Sequence, residues 1–519
     1  MTAEEMRACD RFAIERAGVP GPTLMERAGI GIVRALRRHY PRLARRRVWI
    51  VCGRGNNGGD GLVVARLLHD SGANPRVLLT DPVASIAGDA ALQVPPLLAR
   101  RVALEPLTPE RLAAIERLEP GDLLLDAVLG TGFRGRLEGP KAEAIAAMNR
   151  SPARRIAVDI PSGLSADSGA VDGEAFRAER TITMAYPKRS FLFWPARSHV
   201  GLWDVADIGI PREAEEAAGC RVRLLAAGYL RGRIARFEPQ AHKGTRGRVL
   251  IAGGSPGLTG APSLAAIGAL RAGAGLVRAG VPRSLNPILE AKLTEAMTFP
   301  LQETDTGTLA SSNLLFLISL RDRWDALVLG PGLARHADTD ALVVELLAGW
   351  LGPIVVDADG LNAIASAGLD PLRPALRAAD RVTPVFTPHP GEMERLTGAS
   401  IPEILSDPIA AASRLAAEAR VIVVLKTVPA IVASPDGRVL VNTSGNPGMA
   451  TGGSGDVLSG ILGALLAQGL SPFEAAACAV YAHGAAADFA VARAGERGAL
   501  PGEVPDHLAD VWNGIDTAD

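Results

Sequence analysis

Short runs of Val, Ile and Leu that are apolar on both faces recur along the whole chain, separated by longer helical patterns rich in Ala, Leu and Arg. The clearest are Val48–Cys52, Leu123–Val128, Ile156–Ile160, Val249–Ala252, Ala326–Leu329, Ile354–Val356 and Val421–Leu425. A strand apolar on both faces belongs in a parallel sheet covered by helices on either side, so the fold class is α/β. Several runs end directly in Gly or Asp: Gly53, Asp126, Asp159, Gly253, Gly330 and Asp357. In open α/β sheets ligands gather at the carboxyl ends of the strands, which is where these residues fall.

At 519 residues the chain exceeds one ordinary core, and length alone suggests two to four domains. A break is expected between Asp207-Ile208-Gly209-Ile210-Pro211 and His242-Lys243-Gly244, with the charged, Ala/Arg-rich stretch between them as a connecting helix with short loops. The expected domains are 1–215 and 240–515, joined by a linker over 216–239. No repeat at solenoid periods is present, and the halves read as two different α/β units.

With 48% hydrophobic and 21% charged residues the composition is that of a globular protein. Aromatics are only 4%, so the cores must be built from Ala, Val, Leu and Ile. A net charge of -1 gives no reason to expect nucleic acid or an anionic membrane as partner. The basic run Arg42, Arg45, Arg46, Arg47 reads as a solvated flank. Cys9, Cys52, Cys220 and Cys478 are far apart in sequence with no CxxC pair, and read as reduced thiols. The N-terminus lacks the apolar stretch of a signal peptide. The longest uncharged run, Val457 to Phe473, contains Gln468, Gly469, Ser471 and Pro472, and suits a buried helix and its turn. The expected location is cytoplasmic.

The most informative stretch is 441–463. Gly445, Gly448, Gly452, Gly453 and Gly455 leave the backbone free to curl around a ligand, and Asp456 opens a helical pattern through Val457, Leu458, Ile461, Leu462, Leu465 and Leu466. A glycine-rich turn feeding a helix presents unpaired N–H groups and the positive end of the helix dipole to phosphate. An aspartate there, expected to be ionised at neutral pH, can take a proton from a substrate hydroxyl while the N–H groups stabilise a phosphoryl group.

In the N-terminal half, Val48–Cys52 is followed by Gly53-Arg54-Gly55-Asn56-Asn57-Gly58-Gly59-Asp60-Gly61 and the helical run Leu62–His69. Gly53, Gly55 and Gly58 satisfy GxGxxG, with Asp81 near the position of a ribose-binding acid, but a lone match of that kind is weak. The loops Asp126–Gly135 and Asp159–Leu164 follow two further strands. Each carboxylate alone reads as a helix cap or turn former; three glycine-flanked acids at three strand ends point to a site. Lys188, in Tyr186-Pro187-Lys188, reads as a solvated lysine.

Asn56–Asp60, Asp126–Gly135 and Asp159–Gly163 resemble the motifs of the NAD(P)H-hydrate epimerase domain, over residues 1 to about 215. The resemblance implies a Rossmann-like three-layer fold. It implies that Asn56, Asn57, Gly58, Gly59, Asp60, Gly130, Thr131, Gly132, Phe133, Arg134, Gly135 and Arg136 hold the damaged dinucleotide, and that Asp159 lies at the reacting ring. It also implies a potassium ion on Asn57, Asp126 and Ser162, and such oxygen donors suit a hard cation.

In the C-terminal half, His242-Lys243-Gly244, Gly253-Gly254-Ser255, Gly260-Ala261, Gly330-Pro331-Gly332, Asp357–Asn362 and Thr387–Glu392, with Gly453-Ser454-Gly455-Asp456, resemble the ribokinase-like fold and its ADP-dependent NAD(P)H-hydrate dehydratase branch, over about 240 to 510. The resemblance implies contacts to the hydrated nucleotide from Ala261, Gly332, His389, Pro390, Gly391, Glu392, Met393, Glu394, Arg395 and Asp456. It implies ADP on Lys426, Thr427, Val428, Pro429 and Ala430, and on Asn446, Pro447, Gly448, Met449, Ala450, Thr451, Gly452, Gly453, Ser454 and Gly455, with Mg²⁺ accompanying the nucleotide. His389 reads equally as a neutral loop residue bonded to backbone. The family usually has Lys-Gly where this chain has Lys426-Thr427, and Thr tolerates a positive φ less well than Gly.

The chain as a whole thus resembles the bifunctional NAD(P)H-hydrate repair family. The implied activities are interconversion of the two C6 epimers and ADP-driven removal of water from the S form, with Asp159 and Asp456 as the catalytic acids and bases. Its partners would be hydrated NADH or NADPH and ADP, without nucleic acid or membrane, and a homo-oligomer is compatible with it. The alternative is an ATP-dependent small-molecule kinase of the ribokinase group with a non-catalytic N-terminal binding module. A fused second site with Asp60, Asp126 and Asp159 weighs against that alternative.

Overall fold

A computed structural model of the chain describes residues 1–517 apart from residue 235. The chain divides into two compact units, Met1–Cys220 and Arg221 onward.

The first unit is built on seven parallel strands, β1 (Val48–Cys52), β2 (Pro75–Leu79), β3 (Leu104–Pro106), β4 (Leu123–Ala127), β5 (Arg154–Val158), β6 (Arg180–Met184) and β7 (Leu202–Ala206), in the order β3-β2-β1-β4-β5-β6-β7. Side chains alternate across the sheet, and both faces are covered. Val48, Ile50 and Cys52 pack on Ile32, Leu36, Leu62 and Leu68. Trp49 and Val51 pack with Ile115, Ile145 and Met148 on the other side. The chain reverses its direction of travel across the sheet between β1 and β4, so their carboxyl ends frame the crevice where such folds bind ligands. Strand β5 stops two residues short of the expected Ile160, because Asp159 takes a left-handed φ of 66° and turns the chain out of the sheet.

The second unit holds a ten-stranded sheet made of β8 (Val222–Leu225), β9 (Arg248–Ala252), β10 (Leu276–Pro282), β11 (Met297–Leu301), β12 (Ala326–Leu329), β13 (Ile354–Val356), β14 (Val385–Phe386), β15 (Ile422–Leu425), β16 (Ile431–Ala433) and β17 (Val439–Asn442). Its order is β11-β10-β9-β12-β13-β14-β15-β16-β17-β8. From β11 to β15 neighbours are parallel; β16 runs antiparallel to both β15 and β17. The two strand orders differ, so the halves are distinct folds and not a duplication.

The connecting helix with short loops expected within 212–240 is corrected: among the described residues the only α-helix there is Glu213–Ala217. Val222–Leu225 is a strand that joins the far edge of the second sheet, parallel to β17, with Val222 opposite Val439. Leu225 and Leu230 are fully buried in the second core. The Ala/Arg-rich composition masked a four-residue edge strand whose pairing partner lies some 215 residues later, which no local pattern can reveal.

A core poor in aromatics packs its helices closely. Helix Ser454–Ala467 lies on helix Gly260–Arg271 with backbone almost in contact: a Cβ at Gly460 would sit 1.9 Å from the Ala265 carbonyl oxygen, and one at Gly268 would sit 2.6 Å from that of Val457. This pairing fixes the N-terminus of helix Ser454–Ala467 above the sheet. The uncharged run from Val457 is therefore a buried helix, as its composition implies. The neighbouring helix Pro472–Ala494 is long and apolar enough to cross a membrane by composition, and 67% of its most apolar window is buried within the protein.

Candidate active sites at two sets of strand ends

In the first unit the expected loop before Leu62 is partly helix: the helix runs Asn56–Asp70, capped by Gly55. Gly58 and Gly59 lower helix propensity and hide this start in the sequence. Tertiary packing demands them, since a Cβ at Gly58 would meet the Gly53 carbonyl oxygen at 1.9 Å, and one at Gly59 would meet Met25 and Ala90. The two glycines thus serve the fit of helix to strand end, while Asn56, Asn57 and Asp60 face a cavity of about 810 Å³. Gly130, Thr131, Gly132, Phe133, Arg134 and Asp159 line the same cavity. Gly135 and Arg136 do not; Arg136 lies against Gly173. Asp81 ion-pairs at 3.0 Å with Lys141, and it is Lys141 that reaches the cavity wall.

Asn57, Asp126 and Ser162 are brought together by short bonds. The Asp126 carboxylate accepts from the Ser162 N–H at 2.7 Å, the Ser162 hydroxyl at 2.6 Å and the Val128 N–H at 3.1 Å. Asn57 Nδ2 donates to the Leu129 carbonyl at 2.8 Å, and the Leu129 N–H donates to Ser162 Oγ at 2.8 Å. Asn57 Oδ1 is buried without a partner. Burial pushes the Asp126 carboxyl up to about 6, against the pull of the Ser162 and Val128 bonds.

Asp159 Oδ1 accepts from Lys188 Nζ at 2.6 Å, Thr183 Oγ1 at 3.1 Å and the Met184 N–H at 3.1 Å. The reading of Lys188 as solvated is overturned. Its side chain is 1% exposed, and Nζ also reaches Thr183 Oγ1 at 2.8 Å and the Met184 and Tyr186 carbonyls at 3.1 Å. An ammonium can be buried when it is paired and its N–H groups are all taken. Burial first, then repulsion from Asp159 and Asp10, holds the Asp60 carboxyl well above its ordinary range.

Asp10 is the residue that the sequence reading missed. It lines the cavity from helix Ala3–Glu15, whose start is a capping box between Thr2 and Glu5. That Thr-x-x-Glu signature was available at Thr2–Glu5. The helix is tied down by the Met1 ammonium on the Pro187 carbonyl at 2.7 Å and the Ala3 N–H on Asp167 at 2.6 Å.

In the second unit the sites converge at the ends of β13, β14 and β15 and the start of helix Ser454–Ala467. Gly453, with φ 100°, caps that helix. The first-turn N–H groups lack intrahelical partners by geometry, and Asp456 stands in that same turn. Asp357, one of the acids expected at a strand end, stands just past β13 and is 1% exposed. It accepts from Lys426 Nζ at 2.7 Å, Thr387 Oγ1 at 2.7 Å and Ser459 Oγ. Burial would raise the Asp357 carboxyl, but Lys426, Ser459 and Thr387 together keep it below its ordinary range. Lys426 also lies 3.7 Å from Glu392.

The expectation that Asp456 is fully ionised at neutral pH is corrected. Burial, with repulsion from Asp357, pushes its carboxyl up to about 7 against the pull of Lys426. A group that titrates near neutrality is matched to giving and taking protons there.

His389 caps helix Pro390–Thr397. Its Nδ1 accepts from the Gly391 and Glu392 N–H groups at 3.0 and 3.3 Å, and its Nε2 sits 3.1 Å from Glu392. Acceptance at Nδ1 puts the ring proton on Nε2. Pro390, Gly391 and Glu392 form the first turn, and Arg395 Nε donates to Asn362 at 2.8 Å. Met393 is packed in the core and Glu394 bonds the Ile401 N–H at 3.1 Å. Gly332, with φ 66°, lies against Ala261: a Cβ on it would come within 3.1 Å of the Ala261 Cβ.

The two expected nucleotide segments flank one hairpin, where the Asn442 N–H donates to the Ala430 carbonyl at 2.9 Å. Thr427 avoids the left-handed region, so the Lys-Thr departure costs no backbone strain; its hydroxyl donates to the Pro429 carbonyl at 2.7 Å. Val428 is exposed. Asn446 caps the turn Pro447–Met449 and donates at 2.8 Å to Asp488, which also accepts from the Gly445 N–H at 3.0 Å. Asp488 is a second residue that sequence reading missed. Thr451 accepts the Ser454 N–H, leading the chain through Ala450 and Gly452 into the helix cap.

Comparison with known proteins covers both units. A family profile described as NAD(P)H-hydrate dehydratase matches residues 249–509, and one described as YjeF-related protein N-terminus matches 21–190. The bifunctional NAD(P)H-hydrate repair enzyme Nnr of Moorella thermoacetica is 43% identical over 519 residues, covering 99% of this chain and 97% of that protein. The Escherichia coli protein of the same description is 36% identical over 517 residues, covering 98% and 93%. Among solved structures, the ADP/ATP-dependent NAD(P)H-hydrate dehydratase of Bacillus subtilis, co-crystallised with ATP/Mg²⁺, is 28% identical, with a TM-score of 0.49, covering 57% of this chain and 99% of that one.

Proposed function

This chain belongs to the bifunctional NAD(P)H-hydrate repair enzymes, and from that premise we propose how its own residues divide the two reactions. Family membership spans both halves, so the alternative of a small-molecule kinase with an inert N-terminal module is set aside. Hydration of the nicotinamide 5,6 double bond leaves a hydroxyl on C6 in two epimeric forms. The enzyme interconverts the epimers and dehydrates the S form at the expense of a nucleotide, regenerating NAD(P)H.

The first unit holds the hydrate between Asn56–Asp60 and Gly130–Arg134, with Asp159 at the ring as a proton acceptor. A potassium ion fits beside this site. Asn57 Oδ1 is a buried acceptor without a partner, and the Asp126 carboxylate and Ser162 complete an all-oxygen donor set. When bound, the ion would supply a fixed positive charge beside the buried Asp126.

In the second unit the C6 hydroxyl is a poor leaving group, since hydroxide has a conjugate acid of pKa about 15.7, whereas phosphate has a second pKa near 6. Asp456 takes the hydroxyl proton as the C6 oxygen attacks the β-phosphorus of ADP, the bond between the two phosphates breaks and AMP leaves. The N–H groups at the start of helix Ser454–Ala467 stabilise the charge on the phosphoryl group. The C6–O bond then breaks with phosphate leaving, and the C5 proton passes to solvent, restoring the double bond. ADP is the co-substrate, held by Lys426–Ala430 and Asn446–Gly455, and Mg²⁺ enters with its phosphates. Its preference over ATP rests on family resemblance alone. The four free thiols fit a reducing, cytoplasmic setting.

The observation that carries this reading is the match to bifunctional repair enzymes over nearly the whole chain, together with Asp456 in the first turn of helix Ser454–Ala467 behind the Gly453 cap. Separated R and S epimers incubated with and without ADP test it. Reduced-nicotinamide absorbance is expected to return from both epimers with ADP, and only epimer exchange is expected without it. Recovery of absorbance without nucleotide would overturn the phosphoryl route.

A further inference from the structure

Three carboxyls, Asp10, Asp60 and Asp159, face the 810 Å³ cavity of the first unit, and Lys188 is the buried ammonium among them. Lys188 is committed to Asp159 at 2.6 Å. All three donors to the Asp159 carboxylate land on Oδ1, and among the described residues none reaches Oδ2. Among the described residues no hydrogen bond or ion pair reaches the carboxyl group of Asp60 or Asp10, which lie on helices Asn56–Asp70 and Ala3–Glu15. The walls also carry Arg7, Arg54, Asp89, Arg134 and Lys141, of which Arg134 is paired to Asp167 and Lys141 to Asp81. Cys52 is buried beside Asp60.

Three half-buried carboxyls on one cavity repel one another, and the single buried ammonium among them is in contact with only one. The one in contact with Lys188 is the natural carboxylate. Burial and repulsion from Asp159 and Asp10 push Asp60 furthest toward its protonated form, with Asp10 also raised. Two carboxyls with opposite protonation on one cavity are the arrangement that acid–base catalysis uses.

We propose that Asp60 is a catalytic acid of this site, opposed to Asp159 as base, and that Lys188 is the positioning residue that assigns the two roles. The proposal rests on reading the cavity as the epimerase site. C6 of the hydrate carries both a hydroxyl and the ring nitrogen. Asp159 takes the hydroxyl proton, the C6=O bond forms as the C6–N1 bond breaks, and the electron pair released to N1 takes the proton of Asp60. A half-turn about C5–C6 presents the other face. N1 then gives its proton back to Asp60 as it attacks C6, and the oxygen recovers a proton from Asp159. Both carboxyls end as they began, with no net change of oxidation state. Breaking C6–O instead would give an iminium that needs only to lose a C5 proton to become reduced nicotinamide, and the nucleotide-driven reaction of the second unit would be superfluous.

The test is epimer interconversion by the full chain, resolved by chromatography across pH. Asp60→Asn is expected to lower kcat at least ~100-fold with KM within a few-fold, and to remove the alkaline limb of the profile. Asp60→Glu should keep a displaced alkaline limb, which separates lost chemistry from lost folding. Lys188→Met should lower kcat at least ~10-fold with KM within a few-fold, because Asp159 loses the group that holds its carboxylate in place, and Lys188→Arg should recover part of that loss. Wild-type kcat in Asp60→Asn, a change confined to KM, or loss of the alkaline limb in Asp10→Asn and not in Asp60→Asn would each overturn the assignment. Full activity of Asp159→Asn would instead show that the cavity is not the epimerase site.

Discussion

Replacing Asp456 by Asn should remove dehydration and, at the same time, stabilise the second unit above neutral pH. The folded pKa of about 7 stands about three units above the ordinary value of 3.8. The raised pKa means the folded state favours the protonated carboxyl. Its contribution to stability is intact below pH ~4 and is lost as pH rises through ~7. At about 1.4 kcal/mol per unit, the ionised carboxylate costs on the order of 4 kcal/mol at pH 8 and well under 1 kcal/mol at pH 4. Asn removes that cost while keeping the shape. Urea unfolding read by pulsed hydrogen exchange on peptides from Ser454–Ala467 should therefore show Asp456→Asn more stable than wild type at pH 8, and nearly equal at pH 4. Turnover should fall by orders of magnitude at every pH. A variant less stable at pH 8, or a difference that ignores pH, would refute the charge environment derived for Asp456.

Other outcomes are equally specific. Asp159→Asn should stop epimerisation while dehydration of the S epimer continues, which chromatography of the epimers will detect. Steady-state assays with each nucleotide should show better turnover with ADP than with ATP. Separation of the chain between Cys220 and Arg221 should give two soluble, active halves, whereas a cut near Arg231 removes β8 from the second sheet and should lower the melting temperature of that half. Gly460→Val should destabilise the second unit by roughly 3 kcal/mol or more, since its Cβ would fall 1.9 Å from the Ala265 carbonyl oxygen; differential scanning calorimetry measures it.

What could be read from the sequence was local. Seven strands stood out as short runs dominated by Val, Ile, Leu and Ala, and Val48–Cys52, Ala326–Leu329 and Ile354–Val356 coincide with the strands observed. The glycine-rich stretch before Asp456 announced a helix start because five glycines are rare in a purely structural turn. What was hidden depends on partners distant in sequence. Lys188 looks solvated until β5 and β6 lie side by side and bring it to Asp159. Asp10 is one acid on an amphipathic helix until that helix docks. Strand β8 is four residues whose pairing partner follows some 215 positions later. The charge state of Asp456 likewise depends on Asp357 and Lys426, which arrive from two other strand ends.

The central claim is that one chain carries two separable active sites acting in sequence on one substrate. Complementation tests it most directly. Asp159→Asn and Asp456→Asn are each given the R epimer with ADP, alone and then mixed in equal amounts, and reduced-nicotinamide absorbance is followed. Neither variant alone should regenerate it beyond the rate of uncatalysed epimerisation, and the mixture should restore a rate approaching that of wild type. A mixture as inactive as its components, or a single variant that converts the R epimer at the wild-type rate, would contradict the account.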